Sequence, residues 1–171
     1  MIHEFDLQVR YRVFPLHPDT PENGLSLEQL FGGRRDVEAM LTRLREVAHE
    51  LKLPLGERTH TYNSRAAQEL GKWAEQQGKL EEFMDAVYRA YFAKVQNISS
   101  PEVLSNIAAG IDLDADEARR VMAENSFAAK VDADWRRSRE LGIRAVPTLL
   151  YNTRALVGFR PYEDFRKLMQ N

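Results

Sequence analysis

No cysteine occurs among the 171 residues. Disulfides, thiolate metal sites and thiol chemistry are therefore excluded for these residues. No apolar run approaches the roughly 18 residues of a membrane helix. The N-terminus, MIHEFDLQVRY, has neither a basic start nor an apolar core. It therefore predicts no secretory signal and a cytoplasmic location. Neither charge sign dominates: Lys and Arg number 24, Asp and Glu 26, and the formal net charge is -2. That balance offers no electrostatic case for nucleic acid or an anionic membrane. A glycine-rich phosphate loop, a nucleophile elbow and an HExxH motif are all missing. His3, His17, His49 and His60 are scattered without ligand spacing, so no metal is expected. Asp112, Asp114 and Asp116 alternate like calcium ligands but lack the loop glycine and the closing glutamate, and read as a helix cap. No cofactor is implied.

What is present is an ordinary globular composition, with 43% hydrophobic and 9% aromatic residues. Residues 6–13, DLQVRYRV, alternate Leu7, Val9, Tyr11 and Val13 with polar neighbours, which predicts a strand with one wet face. Pro15, Pro18 and Pro21 then make 14–24 an extended loop. Ser26 with Gln29 reads as a capping box that opens a short helix, and Gly32-Gly33 stops it. Apolar steps of three and four predict helices over about 35–52 and 64–77, the latter capped by Asn63 or Ser64. A third begins at Leu80 and carries its stripe to Val95. Ser100-Pro101 opens a fourth, Asp114 a fifth, and a sixth covers about 126–141 with Gly142 as its stop. The pattern then changes to a hairpin over 145–157, turning at Asn152-Thr153, and a terminal helix near Pro161.

The most specific segment is Gly142-Ile143-Arg144-Ala145-Val146-Pro147-Thr148. A proline at the start of a strand gives up a ladder donor. A cis Val146-Pro147 bond would turn the preceding carbonyl and amide outward, toward an extended ligand. An ordinary trans proline at a strand edge is the alternative that residue chemistry leaves open. The stripe from Phe83 to Phe92 reads as core.

GIRAVPTLLYNTRALVGFRPYEDFRKL resembles the end of the DsbA-like branch of the thioredoxin superfamily, with its G-[IV]-x-[GA]-V-P-T strand, hairpin and terminal helix. YRVFPLHPDTP and TYNSRAAQELGKWAEQQGK resemble the FrnE-type subgroup, which is related to 2-hydroxychromene-2-carboxylate isomerases and kappa-class glutathione transferases. The resemblance implies an α/β fold: an incomplete thioredoxin-like sheet whose first strand is missing, with a large helical insertion. It implies a partial thioredoxin-like domain from 1–34 and 142–171 and an insertion over 35–141. Pro147 falls on the family's cis-proline, which makes Ala145, Val146 and Pro147 the expected substrate-binding loop. Asn63 and Ser64 form a possible ligand-facing helix start.

The family's C-x-x-C has no counterpart here, and thiol–disulfide exchange needs a thiolate. The resemblance thus implies an oxidoreductase relative that is redox-inert, with no catalytic residue to name. The alternatives are a module that binds an extended peptide or a glutathione-like ligand, and a remnant of a glutathione-dependent isomerase or transferase. Without the central strand, 6–13 would either pair with 145–151 or find a partner in a second copy. Exposed edges invite such pairing, so a homodimer is expected.

Overall fold

The computed structural model describes residues 2–33 and 36–170. Compactness divides the chain into two units, Met1–Leu16 with Asp132–Asn171, and His17–Val131. The loop after His17 and the short helix behind it thus belong with the helical unit.

In that unit the chain runs through β1 (Leu25–Ser26), α2 (Leu27–Phe31), α3 (Val37–Glu50), β2 (His60–Thr61), α4 (Arg65–Gln76), α5 (Leu80–Tyr88), a π-helical turn (Arg89–Ala93), α6 (Pro101–Ala109), α7 (Ala115–Glu124) and the start of α8 (Ala128–Glu140). Local chemistry sets the helix starts. Ser26 and Gln29 exchange side-chain and backbone hydrogen bonds in a full capping box. Ser100 caps α6 ahead of Pro101, and the Asp114 carboxylate accepts from the N–H groups of Asp116 and Glu117. Those two bonds hold the Asp114 carboxyl below its ordinary range. The core gathers Leu70, Trp73, Phe83, Leu104, Ala108 and Ala118 from α4, α5, α6 and α7.

The third helix departs from the regular continuation that its stripe predicts. After Tyr88 the backbone widens: the Lys94 N–H reaches back five residues to the Arg89 carbonyl, and Val95 closes the turn at φ 54°. A β-branched residue is uncommon there. The widening seats Gly56, whose N–H donates to the Phe92 carbonyl at 2.8 Å. A second feature, the two-residue antiparallel ladder of β1 and β2, pairs Leu25 with Thr61 and Ser26 with His60. It is too short to leave a periodic trace in the sequence.

The other unit holds α1 (Ile2–Phe5), the remainder of α8, and a hairpin of β3 (Thr148–Tyr151) and β4 (Arg154–Val157) followed by α9 (Tyr162–Gln170). The hairpin register is Thr148 with Val157, Leu149 with Leu156, Leu150 with Ala155 and Tyr151 with Arg154. Asn152 takes φ 54° at the turn, which asparagine tolerates better than most residues. One expectation fails here. Residues 7–13 form no strand: alternation alone does not make a ladder, which needs a neighbouring strand, and β3 pairs only with β4 among the described residues. The segment is instead held by Asp134 of α8. The Asp134 carboxylate accepts from the Val13 N–H at 3.1 Å and pairs with Arg12 at 3.0 Å. At the far end, Glu4 accepts from the Tyr162 hydroxyl and pairs with Arg166.

Candidate functional site

Three residues lead into β3. Gly142, in the left-handed region at φ 67°, ends α8, and the Ile143 N–H closes back on the Ser138 carbonyl. The chain then bends through Ala145, Val146 and Pro147 before β3 begins at Thr148. The Val146–Pro147 peptide is cis. The Thr148 hydroxyl donates to the Ala145 carbonyl at 2.7 Å, and the Gly158 N–H donates to the Pro147 carbonyl at 2.8 Å. These two bonds fix the loop from both sides. Pro147 is exposed and Val146 is 44% exposed, whereas Ala145 and Thr148 are half-buried.

The hairpin has two unlike faces. Register puts Thr148, Leu150, Ala155 and Val157 on one side, and Leu149, Tyr151, Arg154 and Leu156 on the other. Every residue of the second set is half-buried, and the Arg154 guanidinium donates to the Leu168 carbonyl of α9 at 2.7 Å. In the first set Leu150 and Val157 are exposed. Phe159, just past β4, is 69% exposed. Exposed apolar side chains therefore lie in the loop, on one face of the hairpin and just past β4. Arg144 and Arg160 flank this stretch in sequence, and both are exposed. The Arg160 Nε donates to the Val157 carbonyl at 3.1 Å.

Asn63 and Ser64 sit in the helical unit, at the start of α4. Ser64 occupies the N-cap position without making a side-chain cap bond. Asn63 caps in its place: its Oδ1 accepts from the Arg65 N–H at 2.8 Å, while its Nδ2 donates to the Thr20 carbonyl at 2.7 Å. The Ser64 hydroxyl accepts from Gln68 at 3.0 Å. Both side chains are thus engaged in holding the local structure.

An arrangement that sequence reasoning missed lies near β2. The Arg58 guanidinium carbon is 5.0 Å from the Tyr91 ring centre and 5.5 Å from that of Phe92, and its Nε is buried without a hydrogen-bond partner. Stacking of this kind is worth about 0.5–2 kcal/mol. Nothing in the local sequence of Arg58 signals it, because the two rings arrive from the π-helical turn. His17 is pushed to a lower pKa by partial burial and then by the charge of Arg58.

A hollow of about 720 Å³ opens between α5, the π-helical turn and α6. Its rim includes Glu81, Glu82, Asp85 and Arg89, and Asp85 and Arg89 already pair at 2.6 Å. No group of His, Asp and Glu among the described residues is placed to hold a metal ion. No described helix is long and apolar enough to cross a membrane. The loop around Pro147 offers backbone groups, apolar side chains and arginines, and with no thiol it cannot exchange disulfides.

Residues 1–170 match the DSBA-like thioredoxin domain family. Among solved structures, the fold is similar to that of a probable DsbA oxidoreductase from Streptomyces coelicolor, with TM-score 0.84 and 26% identity, over 93% of this chain and 72% of that one. It is also similar to a 2-hydroxychromene-2-carboxylate isomerase, with TM-score 0.79 and 15% identity, over 99% of this chain and 83% of that one. No curated protein matches the sequence.

Proposed function

The chain belongs to the DSBA-like thioredoxin domain family, and from that premise we propose that these residues act as a redox-inert binding module of the family. They hold an extended peptide along the Ala145–Pro147 loop. The observation that carries the reading is the free outer edge of β3. That strand has one ladder partner, β4, among the described residues, and its other edge begins at the exposed Val146 and Pro147. An unpaired edge next to apolar side chains is the arrangement used in β-strand addition, where the main chain supplies affinity and alternate side chains supply selectivity. The absence of cysteine removes the competing reading of a dithiol oxidant.

Titration of the ¹⁵N-labelled chain with an eight-residue extended peptide tests this. Amide shifts should move at Val146, Thr148 and Phe159 and stay still on α6 and α7. No movement at the loop up to millimolar peptide would sink the proposal. Glutathione, an extended tripeptide, is the small-ligand alternative, and the same spectra report on it. The purified chain should show no insulin-type disulfide reduction above a buffer control.

A second reading concerns assembly. Residues 7–13 keep the alternation of a strand but form none, and Val9 is 39% exposed. Pairing this segment with a second copy would make a homodimer and bury it. Light scattering coupled to size-exclusion chromatography should give twice the 19.7 kDa chain mass, falling to one chain mass on Val9→Lys. A single-chain mass for the native protein at micromolar concentration would exclude the dimer.

A further inference from the structure

The charge of the two units differs although the whole chain is nearly balanced. Met1–Leu16 with Asp132–Asn171 carries ten Lys and Arg against seven Asp and Glu, whereas His17–Val131 carries fourteen against nineteen. The excess of positive charge thus lies in the unit that contains the Pro147 loop. Two of its arginines flank that loop in sequence, three residues before Pro147 and two after Gly158, the residue whose N–H is bonded to the Pro147 carbonyl. Arg144 and Arg160 are exposed, and neither forms an ion pair among the described residues. Two of the carboxylates close to them in sequence face other arginines: Glu140 faces Arg137 at 3.5 Å, and Glu163 faces Arg166 at 3.5 Å. Between the arginines lie the exposed apolar side chains Val146, Val157 and Phe159.

We propose that the ligand of this loop is an acidic peptide with alternating apolar residues, its backbone along the β3 edge and its carboxylates toward Arg144 and Arg160. The inference rests on the binding reading above and adds the chemical class of the ligand. Extended chains point successive side chains to opposite sides, so alternation lets one set meet Val146 and Phe159 while the other remains free for the arginines. Charge complementarity at an exposed rim acts chiefly on selectivity and on association rate, and salt screens it.

The test uses two peptides measured by calorimetry against the full chain. One alternates Val and Glu over eight residues with capped ends; the other carries Gln at each Glu position. The acidic peptide should bind at least about five-fold more tightly at low salt, and the gap should close in 0.5 M NaCl, where the screening length is only a few ångströms. An Arg144→Gln, Arg160→Gln double variant should bind both peptides as the native chain binds the neutral one. Arg144→Lys with Arg160→Lys should restore the preference, because the charges remain although the Arg160 hydrogen bond geometry changes. Equal binding of the two peptides by the native chain overturns the acidic class and leaves the binding module intact. No binding of either peptide overturns the binding module and the class with it. A preference that survives in the double glutamine variant assigns the selectivity to other residues and overturns the role of these arginines.

Discussion

The two units are built on opposite terms. Of the sixteen apolar side chains buried among the described residues, fifteen lie in His17–Val131 and one, Leu168, in the hairpin unit. Exposure runs the other way. Val9, Tyr11, Leu16, Leu141, Val146, Leu150, Val157, Phe159 and Tyr162 are exposed large apolar residues of the hairpin unit, against Leu44, Leu51, Leu53 and Tyr88 in the helical one. Apolar burial is worth roughly 25 cal/mol per Å², so the helical unit carries the apolar stabilisation and the hairpin unit carries the unspent apolar surface. A family known for its redox sheet is represented here by a chain whose core is helical.

That contrast can be broken most directly by truncation. Phe83 is 2% exposed in the helical core, and Phe83→Ala should cost about 3–5 kcal/mol, read as a large drop in the melting temperature by far-UV circular dichroism. Val157→Ala, on the open face of the hairpin, should stay within about 0.5 kcal/mol. Comparable losses from both would show that the hairpin unit has a core of its own. Next in size is Gly56→Ala. A Cβ there would meet the Ala93 carbonyl oxygen and the Val95 side chain at 2.6 Å, and overpacking of this kind costs about 1–3 kcal/mol. A neutral result would mean that the π-helical turn gives way easily. Ser26→Ala removes one half of the capping box and should cost about 1 kcal/mol, measured by denaturant unfolding.

The smallest effect is a pH slope. Burial, and after it the charge of Arg58, lowers the pKa of His17 from its ordinary 6.5. The unfolded chain therefore binds a proton more readily than the folded one, and stability rises with pH in that interval. The contribution is complete above pH 6.5 and is lost as pH falls below it toward the folded value. His17→Gln should flatten the melting temperature between pH 7 and pH 5. An unchanged slope would separate His17 from the Arg58 cluster.

Much of this was legible in the sequence where the causes are local. Ser26 with Gln29, Pro101 after Ser100, Asp114 and Gly142 each set a helix end by interactions within a few residues, and the hairpin turn at Asn152 follows from one residue's tolerance of a positive φ. The Ala145–Pro147 loop was legible through its pattern. What failed depended on partners distant in sequence. The alternation over 6–13 describes a face, yet whether a ladder forms is decided by a neighbour strand. Arg58 and the rings of Tyr91 and Phe92 are more than thirty residues apart. Asn63 caps α4 as its position suggests, whereas its second bond, to the Thr20 carbonyl 43 residues away, has no local signal.

That double commitment of Asn63 has a bearing on how the protein meets a protease. The excursion over 17–24 is rich in proline and mostly exposed, the profile of a preferred cleavage site. A protease, however, must draw a stretch of chain into its cleft in extended form. Here the Thr20 carbonyl is held by Asn63, the Glu22 carbonyl by the Ser99 hydroxyl at 2.7 Å, and Leu25 by its pairing with Thr61. The excursion is pinned at three points within six residues, so nicking there requires these fastenings to open together, and its digestion rate becomes a gauge of local unfolding in the helical unit and not of surface exposure.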